Sequence, residues 1–186
     1  VFLPESTKFD IPGTSLNIDL NLRNYLLTKV SMLKKNDLPH LEEHSIELQL
    51  PFASYFFPEV PILPCIISGK NSSTIETATR LFEEISNYIG NQVVFVLSSN
   101  LAVSDSPEEC DSLSREFIDS LSRPIAEFHV EAKSCCNSFC GEAVIRAFRV
   151  AFPKAMAELL DYDNSSKHRE YCDELVVGYG AIGFKR

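Results

Sequence analysis

Three stretches of the chain carry residues whose types and spacing could do chemistry. In LEEHSIELQLPF, residues 41–52, His44 stands between Glu43 and Glu47, directly ahead of an apolar run. Carboxylates beside an imidazole can orient it as an acid, a base or a ligand, and the same residues can instead cap and anchor an element. On a helix, His44 and Glu47 share a face at i, i+3, while Ile46 and Leu50 share another at i, i+4. Residues 46–52 also alternate apolar and polar, which reads as a strand, although Pro51 would break an inner ladder. Pattern alone leaves helix and strand equal.

The second stretch is KSCCNSFCGE, residues 133–142, where Cys135, Cys136 and Cys140 precede a predicted helix start. A thiolate there feels the N-terminal field of the helix, which favours nucleophilic or metal-ligand behaviour. The spacing is not C-x-x-C, so structural zinc is not expected, and small buried residues are the ordinary outcome for free cysteines. The third stretch, Gly178-Tyr179-Gly180-Ala181-Ile182-Gly183, has the letters of a dinucleotide fingerprint. Only Phe184, Lys185 and Arg186 follow it, which leaves no room for the helix whose N-terminus would hold a pyrophosphate. These glycines are read as close packing of a strand against a neighbour. His40, His129 and His168 stand alone and read as surface or internally satisfied residues.

The elements that must position these residues alternate along the chain. Residues 19–35 place Leu20, Leu22, Tyr25, Leu26, Val30 and Leu33 at helical spacing and end on Lys34-Lys35, which predicts an amphipathic helix. Residues 60–68 predict a short buried strand, and 73–89 a second helix that opens on a polar run. QVVFVLSSN, residues 92–100, is β-branched on both faces and predicts a central strand buried on both sides. Further helices are expected at 108–122, 124–133 and 141–151, and a last strand in ELVVGYGAIGF, residues 174–184. The chain begins at Val1 and enters FDIPGTS almost at once, as though a strand–loop unit were joined halfway, so an upstream portion is expected.

A length of 186 residues suits one domain with a real core. A formal charge of −9, with basic residues scattered, excludes nucleic acid as an expected partner. No apolar run approaches the roughly 18 residues of a membrane span, so no membrane association is expected. The six cysteines are expected as free thiols of a cytoplasmic protein, because a core of this size needs no staples.

EEHSIELQLPF closely resembles the signature of the Memo family, with its acidic-Glu-His-Ser-aliphatic-Glu stretch and Leu-Pro-aromatic step. VFVLSSN at 94–100 resembles the family's strand ending in Ser-Ser-Asp. FCGEAVI at 139–145 is similar to its Cys-Gly helix start, and ELVVGYGAIGF resembles its closing strand. The resemblance runs from FDIPGTS to the end of the chain. It implies an α/β fold, with a mixed, mainly parallel sheet sandwiched by helices, as in class III extradiol dioxygenases. It also implies a pocket lined by Glu43, His44, Asn100, Val103 and Cys140. In the family that pocket is metal-capable, but here Asn100 stands where an Asp is expected and Val103 where a His is expected, and two further pocket histidines belong to segments upstream of Val1. Cys140 is the one retained metal-facing position. The expectation is therefore a non-enzymatic module for a protein or peptide ligand, without a cofactor, in which Glu43-His44 caps and anchors a helix. The alternative is an iron-, copper- or zinc-dependent oxidoreductase or hydrolase using His44, Glu47 and Cys140, with Cys140 as the metal ligand.

Overall fold

The computed structural model describes residues 1–41, 43–124, 140–168 and 175–185. The chain divides into two compact units, Val1–Ser98 and Ser99–Arg186. The predicted helix at 124–133, as well as Cys135, Cys136 and His129, falls outside the described residues apart from Pro124.

In the first unit, β1 (Phe2–Leu3) is followed by a hairpin of β2 (Lys8–Ile11) and β3 (Thr14–Asn17), paired from Lys8↔Asn17 to Ile11↔Thr14. Its two-residue turn is Pro12-Gly13. Pro suits the first turn position, and Gly13 takes the positive φ of +86° that a side chain resists. Helix α1 (Leu20–Lys29) is capped by Asp19, whose carboxylate accepts from the N–H of Leu22 at 2.9 Å. It stops well short of the predicted 35, because buried Val30 turns extended and Lys34–Lys35 become β4, parallel to β1. The N–H of Lys34 bonds the carbonyl of Val1 at 3.0 Å, so the two lysines belong to a sheet rather than to a helix end.

Next come α2 (Leu38–Leu41), α3 (His44–Glu47), α4 (Leu50–Phe56) and the long α5 (Ser72–Ile89). Asn71 caps α5 by accepting from the N–H of Thr74 at 2.8 Å. Leu3, Leu22, Leu26, Val30, Leu81 and Ile85 form the core, in which α1 packs against α5. Removing the fully buried Leu26 side chain would cost about 2–5 kcal/mol.

Segment Pro4–Ser6 is held from both sides. The buried Arg23 donates through Nη1 to the carbonyls of Pro4, Glu5 and Ser6 at 2.9, 2.8 and 2.7 Å. Asp37 accepts from the N–H groups of Glu5 and Ser6 at 2.7 and 3.1 Å.

Two predicted strands are corrected here. Residues 60–68 form only isolated bridges, Ile62 to Ile18 and Ile66 to Phe2, because Pro61 and Pro64 flank Ile62 and remove ladder donors. Residues 92–100 join no ladder among the described residues, and they are not buried on both faces. Val93 and Phe95 pack against the core, while Val94 and Val96 are exposed. The β-branched run therefore finds neighbours on one side only.

In the second unit, β5 (Val103–Ser104), β7 (Val176–Lys185) and β6 (Met156–Asn164) form one antiparallel sheet with β7 in the middle. Helix α6 (Pro107–Ser120) packs on this sheet. It starts with Ser106 as cap, Pro107 in its first turn, and Glu108 and Glu109 at the favourable end of the dipole. Helix α7 (Glu142–Ala151) reaches β7 through Phe148, whose ring lies 5.1 Å from that of Phe184. Its Arg149 donates to the carbonyls of Leu121 and Arg123.

Helices and strands do alternate as an α/β chain, but the expected mainly parallel sheet is not what the described residues build. Among the described residues the β1–β4 pairing and the isolated Ile18–Ile62 bridge are parallel, and the longer pairings are antiparallel. Residues 92–100 and 60–68, the strands expected to fill an open parallel sheet, are the ones without a ladder.

Candidate functional site

Structure resolves the ambiguity of LEEHSIELQLPF in favour of helix. The Glu43 carboxylate caps α3 by accepting from the N–H of Ser45 at 2.9 Å. That bond, first among its causes, holds the Glu43 carboxyl below the usual range. Glu43 also lines a cleft of about 420 Å³ with Phe2, Leu38, Pro39, Ile66 and Ser68. The His44 side chain is 85% exposed and lies 3.7 Å from that of Glu47, which is 74% exposed. A pair this exposed contributes little and does not organise a reaction centre. Leu48 and Gln49 continue in right-handed helical geometry, so α3 and α4 run on almost without interruption.

The remaining predicted site residues lie in the second unit. Asn100 and Cys140 are brought together: the Asn100 side-chain oxygen accepts from the backbone N–H of Cys140 at 2.9 Å. Beside them the Ser99 hydroxyl accepts from the N–H of Gly141 at 2.8 Å. Gly141 is the cap of α7 and supplies no side chain of its own, so the Ser99-Asn100 loop satisfies donors at this helix start that would otherwise lack partners. The Cys140 thiol is exposed. Val103 sits in β5 opposite Val177. Among the described residues, no group of three His, Cys, Asp or Glu side chains is placed to hold a metal ion.

A polar cluster that sequence spacing did not reveal lies beneath α6. Asp111 accepts from the hydroxyl of Tyr162 and the amide nitrogen of Asn164, both at 2.7 Å. These bonds, Tyr162 first, hold its carboxyl below the usual range. Burial, with the Asp111 contact added, pushes the Tyr162 hydroxyl up to about 12. Arg115 lies over the Tyr162 ring at 5.2 Å. Acid and phenol are each locked in one protonation state at neutral pH, which makes the cluster a fastening between α6 and β6. Its residues come from two distant elements, and only the i, i+4 pairing of Asp111 and Arg115 is visible in sequence.

The glycine triplet lies inside β7. Gly178 faces Asn164, and Gly180 faces Tyr162, across the ladder. A Cβ on Gly178 would meet the Ser114 hydroxyl at 2.4 Å, and one on Gly180 would meet Leu101 at 2.9 Å. Close packing, not phosphate binding, accounts for these two glycines.

Residues 2–183 match the family model described as Memo-like protein. The chain belongs to the Memo family. A MEMO1 family protein from Methanosarcina mazei is 31% identical over 176 residues, covering 92% of this chain and 65% of the relative. One from Archaeoglobus fulgidus is also 31% identical, covering 81% of this chain and 58% of its own length. A third, from Pyrococcus horikoshii, is 26% identical over 94% of this chain and 67% of the relative. The first two of these Memo relatives are therefore matched over less than two thirds of their length. No helix among the described residues is long and apolar enough to cross a membrane.

Proposed function

We propose that this Memo-family chain is a non-enzymatic module that binds a protein or peptide, and that its pocket does not carry metal chemistry. The observation that carries the reading is the bond from the Cys140 N–H to the Asn100 side chain. A catalytic metal needs about three protein donors with an open position. At the place where the family resemblance expects a carboxylate, this chain has an amide whose oxygen is already engaged by the backbone. At the place where a histidine is expected, it has Val103, in a β-ladder with no donor atom to offer. His44 and Glu47 are exposed side chains on a helix. Among the described residues that place keeps one exposed thiol, Cys140, and a single thiolate does not hold iron, copper or zinc in a catalytic geometry. The donors among the described residues do not fit such a metal.

What the same residues do support is scaffolding. Ser99 and Asn100 hold the start of α7, and Glu43 holds the start of α3. Elemental analysis of protein purified without chelator tests the reading. Metal well below one equivalent is the expected result, and near-stoichiometric iron, copper or zinc would overturn it in favour of a metal-dependent enzyme.

A further inference from the structure

Helix α4 and the turn before it are built the wrong way round for a helix that packs with its apolar stripe inward. Leu48, Phe52, Tyr55 and Phe56 fall at i, i+4, i+7 and i+8, the spacing that places side chains on one helical face. Such a stripe normally faces a core. Here all four are between 63% and 80% exposed, and α4 is buried through Leu50 instead. Tyr55 and Phe56 pack edge to face at 5.0 Å, so the aromatic surface is partly organised in advance.

Charge in the segment that carries the stripe is one-sided. Residues 36–69 include Asp37, Glu42, Glu43, Glu47 and Glu59, and they contain no lysine or arginine at all. We infer that the exposed stripe of Leu48, Phe52, Tyr55 and Phe56 is a docking face for a basic amphipathic helix of another protein. Leucine-like side chains would lie on the aromatic stripe, and lysines or arginines would meet the flanking carboxylates. This is the helix-in-groove mode of recognition, in which apolar anchors supply affinity and charge selects the partner.

The same charges argue against two other occupants. A second copy would bring a matching acidic segment and a formal charge of −9 against its own kind. Four side chains also fall short of the roughly 800 Å² per partner of a standard interface, which favours a small segment over a folded protein. An anionic membrane surface would be repelled.

This inference rests on the interaction-module reading and gives it a partner class. The probe is a peptide of about 18 residues built from leucine, lysine and one tryptophan, with leucines at i, i+3, i+4 and i+7. The chain has no tryptophan, so the peptide's fluorescence reports binding without background. Saturable binding is expected. It should weaken by about tenfold or more in Phe52→Ala/Phe56→Ala, weaken several-fold in Glu47→Gln/Glu59→Gln, and fall with added salt. A control peptide with glutamate in place of lysine should not bind. The aromatic residues are exposed, so their loss should leave the melting temperature in place, and a melt of each variant confirms it.

Four results would overturn the proposal: no binding, equal binding of the two peptides, equal binding by the alanine variant, or a concentration-dependent dimer that the alanine variant loses. The last would assign the face to a second copy of the chain. Metal content separates the two claims. A metal-free protein that ignores the peptide disproves this partner alone, whereas stoichiometric metal disproves the module reading and leaves a positive peptide result standing.

Discussion

Asn100 holds the backbone N–H of Cys140 at 2.9 Å across forty positions of chain, so a loop residue fastens the approach to a helix to which it does not belong. Asn100→Ala should lower stability by about 0.5–1.5 kcal/mol, the usual net effect of losing one hydrogen bond. Asn100→Asp keeps the acceptor at a helix N-terminus and should stay within about 0.5 kcal/mol of the parent. Urea titrations of both variants measure the difference, and equal losses would show that the acceptor oxygen is not what holds this position.

Cys140 should be the first to react among the described thiols. It is exposed, whereas burial pushes the Cys65 thiol up to about 12 and also raises that of Cys110, which is fully enclosed. Brief alkylation of the native protein followed by peptide mapping should find the label at Cys140 well before Cys65 or Cys110. Similar labelling at all three would mean that the interiors of both units open on the timescale of the reaction.

Glu43 and His44 adjoin in sequence and should differ in effect. Glu43→Ala removes the α3 cap and should cost about 1 kcal/mol, while His44→Ala removes an exposed, loosely paired ring and should change stability by less than about 0.5 kcal/mol. The Glu43 carboxyl is held below its ordinary range by the Ser45 N–H, so its contribution is complete above the unfolded pKa. It fades as pH falls through the lower folded value. Thermal melts of Glu43→Ala and its parent should therefore differ at neutral pH and converge in acid.

His40 gives a second, higher acid-sensitive window. Its ring is buried against Phe9, with centroids 5.9 Å apart, and neither ring nitrogen has a hydrogen-bond partner among the described residues. Burial pushes its pKa down over the opposing field of Asp37. The unfolded chain therefore takes up this proton first, near pH 6.5, and stability present above that pH is lost as pH falls toward the folded value. Between pH 7 and 5 the melting temperature should fall less in His40→Phe than in the parent, and parallel curves would remove His40 from the account.

Gly178→Ala should be strongly destabilising, by about 1–3 kcal/mol, because the new methyl meets the Ser114 hydroxyl and Leu101 inside a packed layer. Gly13→Ala would instead test backbone conformation alone, since nothing lies within 4 Å of its Cβ position. A denaturant midpoint for Gly178→Ala equal to the parent's would show that the sheet can move away from α6.

Helices were the legible part of this sequence. The readings 73–89 and 108–122 mark α5 and α6 to within a residue or two, because helical periodicity is a local signal, whereas the short α2 and α4 are not read as helices. Strands were less legible. A strand is defined by its neighbour, and residues 92–100 have the composition of a central strand without a ladder among the described residues, while Pro61 and Pro64 outweigh the apolar character of 60–68. The family resemblance marked Asn100 and Cys140 separately, yet the bond between them joins positions that no spacing rule connects. The outward stripe of α4 was missed because periodicity shows that a helix has an apolar face but not which way that face turns.

Pro4–Ser6 is gripped as a receptor grips a peptide, with its carbonyls on Arg23 and its amides on Asp37. The two grips respond differently to acid. Carbonyl oxygens do not titrate in the working range and a guanidinium stays charged throughout it, whereas a carboxylate lets go once it takes a proton. Acid thus turns a two-sided clasp into a one-sided hinge: the segment would swing on Arg23 while remaining attached to α1, and the polarity of the chain there would decide which edge lifts first.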